Sequence, residues 1–160
     1  MAKKSHAIPK GHHTVTPSIF VAGAAKAIDF YKKALGAEEL MRFPAPDGTI
    51  MHAQIRIGDS IIMLGDEMPE GGGKSPKTYG GTPVSFFVYG ENVDAAWKRA
   101  VDAGAKPIQP LADQFWGDRT GCLEDPFGHQ WWLAQHIEDL TPEELQKRGE
   151  LFFSQLQTAL

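Results

Sequence analysis

Between Ile50 and Ile57 the chain alternates: Met51, Ala53, Ile55 and Ile57 are apolar, and His52, Gln54 and Arg56 between them are polar. Successive side chains of an extended chain point to opposite faces, so this period of two predicts a strand with one face in a core and one face free. Further strands are predicted at Thr14 to Val21, Glu38 to Phe43 and Ser60 to Leu64, with turns at Asp47-Gly48 and Gly58-Asp59. Pro17 puts the first of these at an edge or a bulge, because it has no N–H to give to a ladder. From Ala24 to Leu35 the period lengthens to that of a helix, with Ala27, Ile28, Tyr31 and Leu35 on one face and Gly36 placed to end it.

After a Pro- and Gly-rich stretch, Met68 to Gly81, the same order returns. Pro83 to Tyr89 reads as a strand and Val93 to Ala103 as a helix with Val93, Trp97, Ala100 and Val101 inward. Lys106 to Gln109, Arg119 to Leu123 and Gln130 to His136 follow as strands. The echo is literal: Phe20-Val21-x-Gly23 returns as Phe87-Val88-x-Gly90, and Gly36-Ala37 as Gly104-Ala105, a period of about 67 residues. The expected fold is α+β, with two tandem βαβββ modules and a C-terminal helix. The predicted division is an arm at 1–13, a first module at 14–66, a linker at 67–82, a second module at 83–138 and the terminal helix at 139–160. That helix opens at Thr141-Pro-Glu-Glu144, with Thr as cap and Glu at the third position. Its Leu145, Phe152, Phe153 and Leu156 ask for a partner, in the chain or outside it.

Composition narrows the function only by exclusion. The 160 residues are 42% hydrophobic and 22% charged, with a net charge of −4 and basic residues scattered, so no nucleic-acid footprint is present. No apolar run follows Lys3 and Lys4, so neither a signal peptide nor a membrane helix is expected. A lone Cys122 excludes an internal disulfide and fits a reducing, cytoplasmic setting.

Candidate chemistry concentrates in two places. The strand face of His52, Gln54 and Arg56 is either a solvated surface, with His52 and Arg56 paired to nearby acids, or the wall of a polar cup. In a cup, His52 is the acid or base and Arg56 grips an anion. The second place is Asp113 to His136, where Asp125-Pro-Phe-Gly128 is strong turn chemistry. On the flanking strands Ser85, Phe87 and Tyr89 share one face, and Gln130, Trp132, Ala134 and His136 share another. Phe87 and Trp132 are either a floor for a flat ligand or ordinary core. Phe115 and Trp116 stand at a turn, where they need a ligand, a lid or a partner. Asp118 and Arg119 read as an ion pair or turn brace, and His129 as a residue that fixes its turn. His12 and His13 read as solvated, and Cys122 lacks a neighbouring base. Gly71-Gly-Gly-Lys-Ser75 imitates a phosphate loop, but the position that must be Gly is Met68.

The repeated modules, with Ala27-Ile28-Asp29-Phe30-Tyr31, Leu35-Gly36-Ala37, Gly58-Asp-Ser-Ile-Ile-Met-Leu64, Asp113-Gln-Phe-Trp-Gly-Asp-Arg119 and Asp125-Pro-Phe-Gly-His129, resemble the vicinal oxygen chelate superfamily, in its PhnB-like branch. Glyoxalase I, bleomycin-resistance proteins and fosfomycin-resistance enzymes belong to it. The resemblance implies curved mixed sheets that form cups, completed in a homodimer, with a small molecule as the partner. In the superfamily's enzymes a divalent metal sits in the cup. Here the matching positions fall on Thr16, Met63, Ser85 and Trp132, whose hydroxyls, thioether and indole are poor ligands for such a metal. The resemblance therefore implies a binder of the bleomycin-resistance kind without the usual metal or other cofactor. His52 is then the candidate acid or base, and Gln54, Arg56, Ser85, Phe87, Trp116 and Trp132 are the candidate ligand-binding residues. The alternative is a lyase, isomerase or dioxygenase with nickel, zinc, manganese or iron at a shifted site that recruits His52 and His136.

Overall fold

A computed structural model describes residues 6–158. The elements run β1 (Ser18–Val21), α1 (Ala24–Leu35), β2 (Glu38–Pro44), β3 (Ile50–Ile57) and β4 (Ser60–Asp66). A short 3-10 turn (Pro69–Gly71) and α2 (Pro76–Tyr79) follow. Then come β5 (Ser85–Tyr89), α3 (Val93–Asp102), β6 (Lys106–Asp113), β7 (Asp118–Glu124), β8 (Gln130–His136) and α4 (Pro142–Thr158). Two four-stranded sheets result, in the orders β1-β4-β3-β2 and β5-β8-β7-β6. In each, the first and last strands pair in parallel and the other pairs are antiparallel. The fold is α+β, two mixed βαβββ sheets with a C-terminal helix.

Each sheet buries one face. Ile19, Val21, Ala53, Ile55, Ile62 and Leu64 of the first sheet join α1 in a core that continues into Val93, Ala100, Leu123, Trp131 and Leu133 of the second half. Helices α1 and α3 pack against each other. Polar bonds close the seam. The Tyr31 hydroxyl donates to Asp125 Oδ2 at 2.7 Å, and His129 Nε2 donates to the Phe20 carbonyl at 2.9 Å. Asp125 also accepts from Trp131 Nε1 at 2.8 Å and from the backbone N–H groups of Phe127 and His129. The Asp-Pro-Phe-Gly turn is thus built around a carboxylate only 4% exposed. Burial, then the Asp125 charge, pushes the Tyr31 hydroxyl well above its ordinary pKa. In the first half, Asp66 does a related job: it accepts from Gly23 and Ala24 at the start of α1 and from Ile50.

Some boundaries differ from the pattern's expectation. β1 starts at Ser18 and not at Thr14. Pro17 only accepts, taking the Met63 N–H at 2.9 Å, and Val15 is left 81% exposed. β6 runs past Gln109 to Asp113, with irregularities on both sides of Gln109 that absorb Pro107 and Pro110. Met51 does not share the buried face with Ala53 and Ile55. The register shifts between Phe43 and Pro44, so Ile50 turns inward at 2% exposure and Met51 stands 46% exposed. Among the described residues, no helix is long and apolar enough to cross a membrane.

Candidate functional site

The faces turned away from the helices carry the candidate chemistry. On the first sheet, His52, Gln54 and Arg56 of β3 stand opposite Phe43, Met41 and Glu38 of β2. Met63 and Ile61 of β4 lie on the other flank, and Ser18 of β1 is opposite Met63. The strip is polar down its centre, and Met41 and Phe43 are exposed beside it. Arg56 forms an ion pair with Glu38, so its charge is answered on the sheet. Both partners are exposed, and such a pair stabilises by less than about 1 kcal/mol, which leaves Arg56 exchangeable to a ligand anion. Gln54 Nε2 sits 3.3 Å from His52 Nε2, so the amide donates and the imidazole accepts.

The second sheet's open face is aromatic. Phe87 is opposite Trp132 in the parallel β5–β8 ladder. The two rings stack 5.2 Å apart with planes 2° from parallel, and Tyr89 continues the stack 6.3 Å from Phe87. Phe87 is 49% exposed and Tyr89 59%, so this platform is no core. Trp131, one residue earlier, points the other way and packs on Tyr31 and Phe86. Ser85 lies at the same face's edge, opposite Gln130.

At one end of this platform lies a hub that the sequence reading missed. Asp118, 5% exposed, accepts from the Tyr89 hydroxyl at 2.9 Å, Trp116 Nε1 at 3.1 Å and His136 Nδ1 at 2.8 Å. The other His136 nitrogen faces Asp139 Oδ1 at 2.9 Å. An imidazole between two carboxylates favours the doubly protonated cation, which can donate to both. Its bonds to Asp118 and then Asp139 raise the His136 pKa. Burial pushes the Asp118 carboxyl up, but the donors from His136, Tyr89 and Trp116 outweigh it and leave it below the ordinary carboxylate range. Arg119 does not pair with Asp118. It points to the opposite face and bridges Asp94 at 2.8 Å and Asp113 at 3.0 Å. Period two would have separated these neighbours, since Asp118, Thr120 and Cys122 take the same side as His136, Ala134 and Trp132.

Phe115 has a cover within the chain, and Trp116 meets it edge-on at 5.1 Å. Phe115 packs on Phe152 and Phe153 of α4 at 5.1 and 6.4 Å. The Gly117 carbonyl accepts from Ile137 and Glu138. Gly117, at φ 93°, lies so close to the Glu138 carbonyl that no side chain fits there. At the start of α4, Glu144 N donates to Thr141 Oγ1 and Thr141 N to Glu144 Oε2, the reciprocal cap expected from the sequence.

The candidate residues therefore form two groups, His52, Gln54 and Arg56 on one sheet and Ser85, Phe87, Trp132 and Trp116 on the other. A cleft of about 640 Å³ between the modules takes in Ser85 and Phe87, but none of His52, Gln54, Arg56, Trp116 and Trp132. Among the described residues no three His, Cys, Asp or Glu side chains gather as a metal-binding group. Of the positions matched to the superfamily's metal ligands, Thr16 lies before β1, and Ser18 stands opposite Met63 in its place; with Ser85 and Trp132 these offer hydroxyl, thioether and indole donors, the wrong chemistry for the superfamily's metal. Cys122 is 2% exposed, and burial followed by the Glu124 charge raises its thiol pKa, so it is no ready nucleophile.

The model of the Glyoxalase/Bleomycin resistance protein/Dioxygenase superfamily matches residues 10–133. An uncharacterised protein of Mycobacterium tuberculosis is 47% identical over 135 residues, which cover 82% of this chain and 79% of that one. Among solved structures, TioX from Micromonospora sp. ML1 is 28% identical, with a TM-score of 0.62 over 81% of this chain and all of its own. The PhnB protein of Bacillus cereus shares the fold at 18% identity, with a TM-score of 0.60 over 77% of this chain and 99% of its own. The chain belongs to the glyoxalase/bleomycin resistance protein/dioxygenase superfamily.

Proposed function

We propose that the protein binds a small, flat or amphipathic molecule in a cup made from two βαβββ modules, spanning 14–66 and 83–138, and that it does so without the superfamily's metal. The observation that carries this reading is the exposed Phe87–Trp132 stack, two parallel rings 5.2 Å apart on an open sheet face. A parallel pair left in water is a costly surface unless a third ring or an apolar body covers it. Trp132 and Phe87 are the floor, and Ser85 and Trp116 stand at its margins. The polar wall is His52, Gln54 and Arg56. In a two-walled cup Arg56 exchanges Glu38 for a ligand anion, and His52, already accepting from Gln54, is the group able to move a proton.

Both open faces carry exposed apolar side chains, Met41 and Phe43 on one and Phe87 and Tyr89 on the other. We read this as two half-cups, each closed by the complementary half of a second copy in a homodimer. The absence of a metal rests on donor chemistry, since thioether, hydroxyl and indole groups do not suit a divalent ion of this class.

The test is a screen of planar aromatic compounds, with and without a carboxylate or phosphate, read by tryptophan fluorescence quenching with and without chelator. Saturable binding that ignores chelator and weakens tenfold or more in Trp132→Ala is the expected result. Near one metal per chain by elemental analysis, lost in His52→Ala, would overturn the metal-free reading.

A further inference from the structure

Arg99 is the exception among the chain's five arginines. Arg42 pairs with Glu39, Arg56 with Glu38, Arg119 with Asp94 and Asp113, and Arg148 with Glu138. Arg99 has no carboxylate partner among the described residues. Its Nε–H donates to the Ala34 carbonyl at 3.1 Å, across the seam between the modules. Its two terminal nitrogens lie over Gly36, 3.3 and 3.5 Å from where a β-carbon would stand. The guanidinium is thus fixed at the C-terminal end of α1, with its two-pronged edge unanswered among the described residues.

Arg99 also stands in the wall of the cleft of about 640 Å³ between the modules, a size typical of small-molecule sites. Leu35, Ile57, Ile62, Val93, Ala96 and Leu133 give the cleft apolar walls. One side is the run Ser85 to Gly90, which includes the whole of β5. β5 ends the sheet order, so its outer edge offers backbone N–H and C=O groups with no neighbouring strand. The acid in the wall, Asp59, accepts from the Ser60 hydroxyl at 2.8 Å. The cleft excludes the candidate cup residues other than Ser85 and Phe87, and meets the open face of the second sheet along β5.

We propose that this inter-module cleft is a second site, which binds a small amphiphilic carboxylate. The apolar body of the ligand lies against α1, α3 and β5, and its carboxylate takes the free edge of Arg99. A planar guanidinium held through its third nitrogen matches a carboxylate through two parallel hydrogen bonds. A neutral or cationic head group on the same body has no such partner.

The test titrates octanoate, octanol and octylamine into the isotopically labelled full chain and follows the backbone amide NMR spectrum. Octanoate is expected to saturate with shifts centred on Leu35, Val93, Ala96 and Arg99 and to bind at least tenfold more tightly than octanol, with octylamine weakest. In Arg99→Gln the preference of octanoate over octanol is expected to disappear. Ala96→Leu, which fills the cleft while keeping Arg99, is expected to weaken both tenfold or more. If Arg99→Gln does not fold, that second variant and the shift map decide the matter. The proposal is overturned if octanoate does not saturate, if its shifts centre on Trp132, if the preference survives in Arg99→Gln, or if Ala96→Leu binds as the parent does.

Discussion

Phe20 and Phe87 occupy the same place in the two halves of the repeat, the third residue of the first strand, on the face turned from the helices. Phe20 stands opposite Gly65, and the loop at Gly73 lies so near that a β-carbon there would collide with its ring. Phe87 stands opposite Trp132, stacks on it and remains 49% exposed. The next residues in each half, Val21 and Val88, both turn to the shared core. The two halves share the packing side, where any change must answer to neighbours on both modules. The open side differs: one face is mostly polar, with Phe20 covered by the loop at Gly73, and the other is aromatic and uncovered. The candidate binding residues lie where packing constraint is weakest.

If that contrast holds, the largest effect of any single change belongs to the shared seam. Asp125→Ala leaves the Tyr31 hydroxyl, the Trp131 indole N–H and two backbone N–H groups without their acceptor. The expected loss is about 4 kcal/mol or more, read as a lower urea midpoint. Next come the open faces themselves. Trp132→Ala is expected to cost about 1–2 kcal/mol through the lost stack and to weaken aromatic ligands tenfold or more, whereas His52→Ala should stay within about 0.5 kcal/mol. A stability loss in His52→Ala as large as that in Trp132→Ala would erase the distinction drawn between the sheets.

The smallest expected effect is a pH dependence at the Asp118 hub. The raised His136 pKa adds stability that is complete below about pH 6.5 and is lost as pH rises through the folded-state value. The lowered Asp118 pKa adds stability present above about pH 3.9 and lost as pH falls through its folded-state value. Between those limits the hub stabilises most. The melting temperatures of the parent and His136→Gln are therefore expected to differ most below about pH 6.5 and to converge as pH rises through the folded-state His136 value. An unchanging difference across that range would remove the His136–Asp118 bond as the cause.

Much of this contrast was legible in the residues. The repeat, both helices and the strand alternation at His52, Gln54 and Arg56 follow from local periodicity; the same periodicity aligns Phe87 and Trp132 with their strand neighbours but leaves open whether they are a ligand floor or core. What escaped was tertiary. No local pattern reveals that Tyr31 reaches Asp125, 94 residues away, or that Phe115 finds its cover in Phe152 and Phe153. The alternation puts Met51 on the buried face because the irregularity in the adjoining β2–β3 pairing, between Phe43 and Pro44, is invisible to a period count. Adjacency in sequence suggests Asp118 and Arg119 as an ion pair or turn brace, but a strand sends them to opposite faces, and Arg119 pairs with Asp94 and Asp113 instead.

The central claim is that the aromatic face of the second sheet is one half of a cup closed by another copy. Light scattering on the purified chain at micromolar concentration, beside Phe87→Arg, tests it most directly. The account predicts a particle of about twice the 17.6 kDa chain mass for the parent and a folded monomer for the variant. A parent that remains at the single-chain mass, or a variant that stays dimeric, would contradict it.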